Sequence, residues 1–214
     1  MALKINEIFF SIQGESTFAG RPCVFVRLSG CNLDCAWCDT PYAREEGEWM
    51  SIWDIHDVVS SYGFPVVEIT GGEPLLQEET PALARSLLAS GFTVLLETNG
   101  SMDIRAVDSA CIRIMDIKCP SSGQEHLMDL ENLHRLGEND ELKFVLSDLR
   151  DYEYAKAIVV RVRQIIPACK VLFSTVGGML DPADLSAWIL ADRLDVRLQV
   201  QLHKIIWPNM TRGV

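Results

Sequence analysis

Three cysteines within eight residues, Cys31, Cys35 and Cys38, are the side chains with the clearest chemistry in this sequence. Zinc completes a structural site with a fourth ligand, and an ordinary ferredoxin cluster is bound by four cysteines. Three thiolates could instead bind three irons of a 4Fe–4S cluster and leave the fourth iron open to a small molecule. The spacing therefore favours an iron–sulfur cluster with an open iron, with a zinc knuckle or three unconnected thiols as the alternative.

The composition favours a globular enzyme that binds neither nucleic acid nor membranes. The chain has 214 residues, 48% of them hydrophobic, and 30 acidic against 19 basic side chains give a net charge of −11. Phosphate backbones are bound through basic faces, so this charge disfavours nucleic acid, and an anionic membrane surface is disfavoured for the same reason. No apolar run reaches the length of a membrane span, and residues 1–7 lack the layout of a signal peptide. We therefore expect a cytoplasmic protein.

The other four cysteines are predicted to be structural. Cys23, Cys111, Cys119 and Cys169 lie in or beside apolar segments, where a free thiol packs as a small hydrophobic side chain. An odd total of seven cysteines, three of them clustered, disfavours a disulfide framework and fits a reducing compartment.

Short β-branched runs alternate with helical patterns along the chain. Near-continuous apolar runs are typical of parallel strands covered on both faces. The predicted strands span residues 23–28, 66–70, 93–97, 112–117, 141–146, 170–174 and 196–202. A capping box formed by Ser51 and Asp54 predicts the start of one helix, and Thr80 predicts the start of another. Two further helices are predicted over residues 152–166 and 182–194, with a short segment at 103–107 and a weaker helix at 124–136.

Repeated βα units predict an α/β fold with a parallel sheet and right-handed crossovers. The chain is too short for eight units, so we expect a partial (β/α)6-type open barrel in one domain that covers residues 1–214. Ligands in such folds bind at the carboxyl ends of the strands. The residues that end or follow each strand are therefore the candidate site residues.

Polar residues at the first strand ends suit a substrate site, with a structural alternative in each case. Gln13 and Glu15 flank Gly14 in a segment that is either a ligand-binding loop or a solvated turn. Arg27 lies in an apolar strand, where its guanidinium needs either a substrate carboxylate or a carboxylate of the protein. Thr40, after the cysteine loop, either forms a turn or supplies an oxygen ligand to Mg²⁺.

Later strand ends carry glycines and polar side chains. Gly71 and Gly72 would let a ligand approach the backbone, although a generic tight turn uses the same residues. Asp116 and Lys118 are expected to point one way, and either pair with each other or bind a ligand. Small or polar residues also end the last two predicted strands: Ser174, Thr175, Val176 and Gly177, then Gln199, Gln201 and His203. The last three are expected to share one strand face.

The cysteine spacing Cys-x3-Cys-x2-Cys, with Trp37 directly before Cys38, resembles the motif of the radical S-adenosylmethionine (SAM) enzymes. The later Gly71-Gly72-Glu73-Pro74 run resembles the segment with which that superfamily binds the amino group of SAM. More narrowly, the chain is similar to the 7-carboxy-7-deazaguanine synthase family from about residue 5 onward. The further matching segments are Gln13-Gly14-Glu15, Arg27, Gly30-Cys31-Asn32-Leu33, Asp39-Thr40, Glu97-Thr98-Asn99-Gly100 and Leu202-His203-Lys204.

This resemblance implies an enzyme of queuosine and 7-deazapurine biosynthesis. In that family a reduced 4Fe–4S cluster cleaves SAM, and the 5′-deoxyadenosyl radical removes a hydrogen atom from 6-carboxy-5,6,7,8-tetrahydropterin. The ring contracts, ammonia leaves and 7-carboxy-7-deazaguanine forms, while SAM is regenerated. The resemblance also implies a requirement for Mg²⁺, a flavodoxin- or ferredoxin-type electron donor and a homodimer.

The resemblance assigns roles to individual residues. Cys31, Cys35 and Cys38 would bind the cluster, and Thr40 would bind Mg²⁺. The implied substrate contacts are Ile12, Gln13, Gly14, Glu15, Arg27, Thr70, His203 and Pro208. The implied SAM contacts are Trp37, Cys38, Asp39, Gly72, Glu73, Asp116, Ile117, Lys118, Ser174, Thr175, Val176 and Gly177. The run Asp116-Ile117-Lys118 departs from the Ser-Pro-Lys that the family often carries there.

Two other functions fit part of the sequence. A glycyl-radical-enzyme activating enzyme has the same cysteine spacing and a similar size, but its substrate is a protein backbone. Gln13, Gly14 and Glu15 together with Arg27 suit a small acidic heterocycle better. A non-catalytic metal-binding module would leave the polar strand ends without a purpose.

Overall fold

The computed structural model describes residues 2–166 and 170–214. In this part of the chain the strands form one sheet with the order β3-β1-β2-β4-β5-β6-β7-β8-β9. Their bounds are β1 Ala2–Ile12, β2 Pro22–Leu28, β3 Glu48–Ser51, β4 Val66–Gly71, β5 Thr93–Thr98, β6 Ile112–Asp116, β7 Glu141–Leu146, β8 Lys170–Thr175 and β9 Arg197–Leu198. Pairing is parallel from β2 through β9, whereas β1 runs antiparallel to both β2 and β3. The predicted partial barrel is confirmed, with β3 as an unpredicted edge strand.

The helices begin where side chains cap them. The described α-helices are α1 Ile52–Ser61, α2 Thr80–Ala89, α3 Leu149–Ile165, α4 Pro182–Asp192 and α5 Leu202–Ile206. The predicted capping box at α1 is present, because Ser51 and Asp54 each accept a hydrogen bond from the other's backbone N–H. Asp148 caps α3 through the Asp151 N–H, so this helix begins at Leu149 rather than at residue 152.

The outward faces of the strands pack against the helices. Val26 and Ile69 of β2 and β4 pack in one cluster with Ile55 of α1 and Leu83 of α2. Phe144 of β7 and Phe173 of β8 meet edge to face in a second cluster with residues of α3 and α4. This burial fixes the strand faces, because a shift of one residue would turn each apolar set away from its helix.

The inward faces of the parallel strands change from apolar to charged along their length. Near the amino ends, Phe9, Cys23, Phe25, Val66, Leu95 and Ile114 form a small inner core. The alternation of side chains then brings Arg27, Thr70, Glu97, Asp116 and Lys143 to the same face nearer the carboxyl ends. A charged floor therefore lies above the apolar core, at the end of the barrel where ligands bind in this type of fold.

Two predicted elements were wrong. Residues 124–136 form two short 3-10 helices, Glu125–Leu127 and Leu130–His134, because Met128 between them is extended and Asp129 caps the second one. The last strand ends at Leu198 and α5 follows, so Gln199, Gln201 and His203 do not share a strand face. The Gln199 N–H still donates to the Phe173 carbonyl at 2.8 Å, but its side chain bonds both backbone groups of Ser16 and the chain then turns into α5.

The cysteines outside the loop are buried where the structure describes them. Cys23, Cys111 and Cys119 are almost inaccessible to solvent, and burial raises the pKa of each thiol. Cys169 lies outside the described residues. None of the helices in residues 2–166 and 170–214 is long and apolar enough to cross a membrane.

The carboxyl ends of β2 and β4 meet backbone to backbone at Gly72. A Cβ at this position would overlap the carbonyl oxygen of Gly30 and lie 2.6 Å from the Cys31 Cβ. The Glu73 N–H donates to the same Gly30 oxygen at 2.9 Å. The absence of a side chain at Gly72 therefore fixes where the cysteine loop leaves β2.

Gly72→Ala is expected to displace the cysteine loop and to lower the free energy of unfolding by about 1–3 kcal/mol, the usual cost of overpacking. Urea unfolding monitored by circular dichroism measures this change. Gly137→Ala is the matched control, because a Cβ there would lie 3.6 Å from the nearest side-chain atom. Equal stabilities for the two variants would contradict the close approach at Gly72.

Candidate active site

A cavity of ≈ 210 Å³ lies at the carboxyl ends of the parallel strands. Its wall consists of the loop after β1, the cysteine loop, the ends of β2 and β4 to β7, and residues after β8 and around α5. Most predicted site residues line it: Ile12, Gln13, Gly14, Glu15, Arg27, Cys31, Cys35, Trp37, Cys38, Asp39, Thr40, Thr70, Gly72, Asp116, Lys118, Val176, Gly177 and His203. Glu73, Ile117, Ser174, Thr175 and Pro208 lie outside this lining.

The cysteine loop is fastened to the connection between β6 and β7. The Ala36 N–H donates to the Ser122 carbonyl at 3.1 Å, and Trp37 Nε1 donates to Ser121 Oγ at 3.1 Å. Lys118 Nζ lies 5.5 Å from the centre of the Trp37 ring, in cation–π range. The Trp37 indole N–H thus anchors the loop to Ser121, while the face of the ring contacts the Lys118 ammonium.

The three thiols line one wall of the cavity. Cys31 and Cys35 are half-buried and Cys38 is exposed. Burial raises the pKa of Cys35, and the nearby Lys118 ammonium opposes this effect. Among the residues that the structure describes, no three His, Cys, Asp or Glu side chains are already gathered as a metal site. The donor set is nevertheless soft, and sulfur ligands suit an iron–sulfur cluster or zinc rather than a hard cation.

Glu73 serves the fold rather than the cavity surface. Its buried carboxylate accepts hydrogen bonds from Leu75 N at 2.9 Å, Thr98 Oγ1 at 2.9 Å and Asn99 N at 2.6 Å. These bonds fasten the Gly-Gly segment after β4 to the end of β5. The backbone of Gly71 and Gly72 therefore lines the cavity, whereas the Glu73 carboxylate bonds to the protein outside the lining.

Asp116 and Lys118 pair with each other and also line the cavity. Lys118 Nζ lies 2.6 Å from Asp116 Oδ2, whereas Asp116 Oδ1 is buried with no hydrogen-bond partner among the described residues. A buried acceptor without a partner is unfavourable by about 1–3 kcal/mol. This oxygen is therefore a candidate contact for a ligand hydroxyl or amine. Ile117 between them is fully buried in the outer core.

Only half of the predicted segment at the end of β8 reaches the cavity. Val176 and Gly177 line it. Ser174 is buried, and its hydroxyl faces the Phe144 carbonyl at 3.5 Å. The strand continues through Thr175, so the cavity wall begins at Val176, two residues after the first predicted contact.

The side chains of the loop after β1 already have protein partners. Gln13 donates from Nε2 to Glu68 and accepts from the Glu15 N–H at 3.1 Å. Glu15 accepts from Lys143 Nζ at 2.9 Å and from Gln201 Nε2 at 2.6 Å. These bonds hold the loop against the barrel and against the segment before α5.

Gly14 is the contact point between this loop and α5. A Cβ at Gly14 would overlap the His203 ring, and the Leu202 N–H donates to the Gly14 carbonyl at 3.0 Å. Burial lowers the pKa of His203, which favours a neutral imidazole at the cavity wall near pH 7. Pro208 is exposed outside the lining, whereas Val214 lines the cavity.

Arg27 combines both roles that its sequence environment allows. Its Nε donates to Glu7 Oε1 at 2.8 Å, and the guanidinium carbon lies 5.6 Å from the Phe9 ring centre. Its Nη atoms have no hydrogen-bond partner among the described residues, and the side chain lines the cavity. The Nε atom of the guanidinium is thus bound to Glu7, and both Nη groups remain to bind a ligand.

Thr40 lines the cavity beside an ion pair. Its hydroxyl donates to Asp39 Oδ1 at 3.0 Å, and Asp39 Oδ2 accepts from Lys204 Nζ at 2.9 Å. Because the Thr40 proton is used in this bond, the lone pairs of Oγ1 are free to bind a cation.

Among the charged residues that line the cavity, sequence reasoning did not name Arg44, Glu68 and Lys143, and it named Glu97 and Lys204 only within segments that match the family. Burial, reinforced by the neighbouring Glu97 carboxylate, raises the pKa of Glu68 well above its ordinary value. Glu68 and Lys143 show the same signal that singled out Arg27, an ionisable side chain inside an apolar strand. That signal could have identified them.

Comparisons with known proteins agree with this geometry. Residues 25–117 match the family model of the Radical SAM superfamily. The crystal structure of QueE from Escherichia coli superimposes with a TM-score of 0.76 at 26% identity, covering 94% of this chain and 95% of that one. The 7-carboxy-7-deazaguanine synthase of Koribacter versatilis is 43% identical over 99% of this chain and 100% of its own length. That of Chlorobaculum tepidum is 46% identical over 99% of this chain and 97% of its own.

These matches span the cysteine loop, the strand-end glycines and the cavity wall, and they extend over nearly the whole chain. The chain therefore belongs to the 7-carboxy-7-deazaguanine synthase family of the radical SAM superfamily.

Proposed function

We propose that this protein converts 6-carboxy-5,6,7,8-tetrahydropterin to 7-carboxy-7-deazaguanine with release of ammonia, a carbon–nitrogen lyase reaction that leads to queuosine. The observation that carries the proposal is one cavity that joins the three cysteines to Arg27 and to the loop after β1. The full-length relatives at 43% and 46% identity are named for this product. The glycyl-radical-enzyme activating alternative receives no support from these similarities.

The superfamily implies a 4Fe–4S cluster and SAM, and the residues present fit both. Cys31, Cys35 and Cys38 would hold three irons, and the fourth would bind SAM. When bound, this pair supplies a 5′-deoxyadenosyl radical that removes a hydrogen atom from the substrate. The unpartnered Asp116 Oδ1 offers an acceptor to a SAM hydroxyl or amino group, and Gly72 lines the same cavity.

The SAM contacts proposed from the sequence fall into two groups, according to whether they line the cavity. We propose that those in the lining contact SAM directly: Trp37, Cys38, Asp39, Gly72, Asp116, Lys118, Val176 and Gly177. Glu73, Ile117, Ser174 and Thr175 would act through the backbone segments that they hold in place. This division separates the residues that touch a ligand from those that shape its pocket.

The substrate is proposed to bind between Arg27 and the loop after β1. The free Nη donors of Arg27 suit its carboxylate, because a planar fork binds a carboxylate through two charge-assisted hydrogen bonds. Ile12, Gly14, Thr70 and His203 line the same region. Gln13 and Glu15 orient the loop through their own bonds, and Pro208 lies too far out to take part without movement of its segment.

Mg²⁺ is a further proposal, based on Thr40. A hard cation that keeps water and substrate oxygens in its shell needs few protein ligands. The Thr40 oxygen lines the cavity with its lone pairs free. A cation there would hold substrate oxygens and so orient the ring for hydrogen removal.

The remaining expectations extend the proposal beyond the cavity. We propose a flavodoxin- or ferredoxin-type electron donor, a homodimer and a cytoplasmic location, with no nucleic-acid or membrane partner. The net charge of −11 supports the exclusion of nucleic acid. One sheet through all the described strands supports one radical SAM domain over residues 1–214.

Cys35→Ala is expected to remove the cluster, because two remaining thiols cannot hold the proposed centre. Iron and sulfide content after anaerobic reconstitution should fall from about four irons per chain, and SAM cleavage should stop. Cys111→Ala, which removes a buried thiol outside the cavity, should keep both. A colourless, zinc-loaded and fully active wild-type protein would refute the cluster.

Thr40→Ala is expected to abolish the response of turnover to Mg²⁺, because it removes the proposed oxygen ligand. Turnover of the wild-type protein should fall after chelation and return when Mg²⁺ is added. Thr40→Ser keeps the hydroxyl and serves as the control. If chelation slowed wild type and Thr40→Ala by the same factor, the metal would bind elsewhere.

Arg27→Lys is expected to weaken substrate affinity by about ten- to a hundredfold, since a lost charge-assisted contact is worth roughly 1.5–3 kcal/mol. Lysine keeps the charge but loses the fork. Substrate Kd is the readout, while iron content and substrate-independent SAM cleavage should stay normal.

Glu7→Gln is the matched variant for Arg27, because it removes the structural ion pair and keeps the Nη donors. It should weaken substrate affinity less than Arg27→Lys does. The opposite order, or loss of iron from Arg27→Lys, would assign Arg27 to the ion pair alone.

A further inference from the structure

Lys143 is a buried ammonium at the centre of the cavity floor. It lies on β7 between Leu142 and Phe144, is 4% exposed, and lines the cavity. Nζ bonds the Glu97 carboxylate, lies 2.9 Å from Glu15 Oε2, and is 3.9 Å from Asp116 Oδ2. Burial alone would lower the pKa of Lys143, but Glu15 and Glu97 raise it well above its usual range. The side chain is therefore a fixed positive charge.

The carboxylates around Lys143 come from separate parts of the barrel. Glu15 belongs to the loop after β1, Glu97 to β5 and Asp116 to β6. Asp116 also has Lys118 as a partner, whereas for Glu15 and Glu97 no other cation lies within ion-pair distance among the described residues. Loss of Lys143 would therefore leave two carboxylates on the cavity wall without a counterion.

Lys143 binds one oxygen of Glu97, and other groups face the rest of that carboxylate. The ammonium bonds Oε1, while the Thr70 hydroxyl lies 3.5 Å from Oε2, at the limit of a hydrogen bond. The Glu68 carboxyl also neighbours Glu97, and burial together with the Glu97 carboxylate raises the pKa of Glu68. The other carboxylate, Glu15, is held on both oxygens, by Lys143 and by Gln201.

We propose that Lys143 is a positioning residue for the ring-contraction reaction: it orients Glu97, fastens the Glu15 loop, and offsets part of their negative charge so that an anionic heterocycle can bind beside them. The inference rests on the proposed function, and no motif in the sequence pointed to this residue. Lys143 acts through the two carboxylates, which accept two of its three N–H hydrogens.

A positioning role and a purely structural role make different predictions. A buried cation that only filled space would affect stability, and its loss would combine independently with changes elsewhere. A cation that acts through Glu97 must affect substrate binding, and its effect must depend on the charge of Glu97. Lys156 provides a matched comparison, because it is an ion-paired lysine on α3, far from the cavity lining.

The first test compares Lys143→Met with Lys156→Met in reconstituted, full-length protein. We expect Lys143→Met to raise KM for 6-carboxytetrahydropterin at least about tenfold, equivalent to about 1.4 kcal/mol. Iron content should match wild type, and Lys156→Met should leave both iron content and KM unchanged. Lys143→Arg keeps the charge with a different shape and should restore part of the affinity. An unchanged KM in Lys143→Met would overturn the proposal.

The second test is a mutant cycle in a background that combines Glu15→Gln with Glu97→Gln, which removes both charges that Lys143 pairs with. If Lys143 acts through these two carboxylates, adding Lys143→Met to that background should change KM by no more than about twofold. Two independent effects that multiply would overturn the proposal. If Lys143→Met fails to fold, Lys143→Arg takes its place in the same cycle, with the same two outcomes.

Failure of the proposed function is distinguishable from failure of this inference. The wild-type protein alone tests the function, through formation of 7-carboxy-7-deazaguanine detected by mass spectrometry. The inference fails on its own when wild type forms this product and the Lys143 variants bind substrate as wild type does.

Discussion

Charge buried without a partner is unfavourable by several kcal/mol, and this constraint governs the inner surface of the barrel. Each strand contributes only every second side chain to that surface, so a charged residue must find its partner on a neighbouring strand or on a loop. Arg27 pairs with Glu7 across the antiparallel β1–β2 pair, and Lys143 pairs with Glu97 and with the loop that carries Glu15. The cavity wall is therefore a network of paired charges before any ligand binds.

The same network leaves a few polar atoms unsaturated, and these are the ones positioned for chemistry. Asp116 Oδ1 has no partner, and the Nη groups of Arg27 remain free in the described structure. Around them the backbone is rigid, since Gly72 allows two strand ends to touch and Trp37 is anchored through its indole N–H. The atoms that remain free to bind a ligand are thus held in place by segments that are already packed and hydrogen-bonded to the rest of the protein.

Short-range patterns in the sequence predicted much of the fold and of the site. The cysteine spacing, the Gly-Gly run after β4 and the lone arginine in an apolar strand each depend on residues close together in the chain. Lys143 pairs with Glu15, 128 residues away, and Gln201 pairs with the same carboxylate over 186 residues. Such partners depend on which strands are neighbours and on their register. One sequence does not reveal either, so these pairings were not predicted, although Glu15 and Gln201 were named as candidate residues.

Other predictions failed because a side chain forms hydrogen bonds with a segment that is not its neighbour in the sequence. Glu73 follows a glycine pair at a strand end, yet its carboxylate is taken up by the backbone of the adjacent β5 end. The predicted last strand stops after Leu198 and the chain turns into α5, while the Gln199 side chain bonds to Ser16. Local propensity is a weak guide wherever a distant polar group offers a better bond.

The contact between the loop after β1 and residues 199–203 has a consequence for the order in which the barrel is built. Its hydrogen bonds join residues 183 positions apart or more, and contacts of such separation form late because long loops must close first. The cysteine loop and the Gly-Gly segment can assemble earlier, from residues nearer in the chain. The contact between the loop after β1 and residues 199–203 therefore closes the longest loops of the cavity wall and costs the most chain entropy to form.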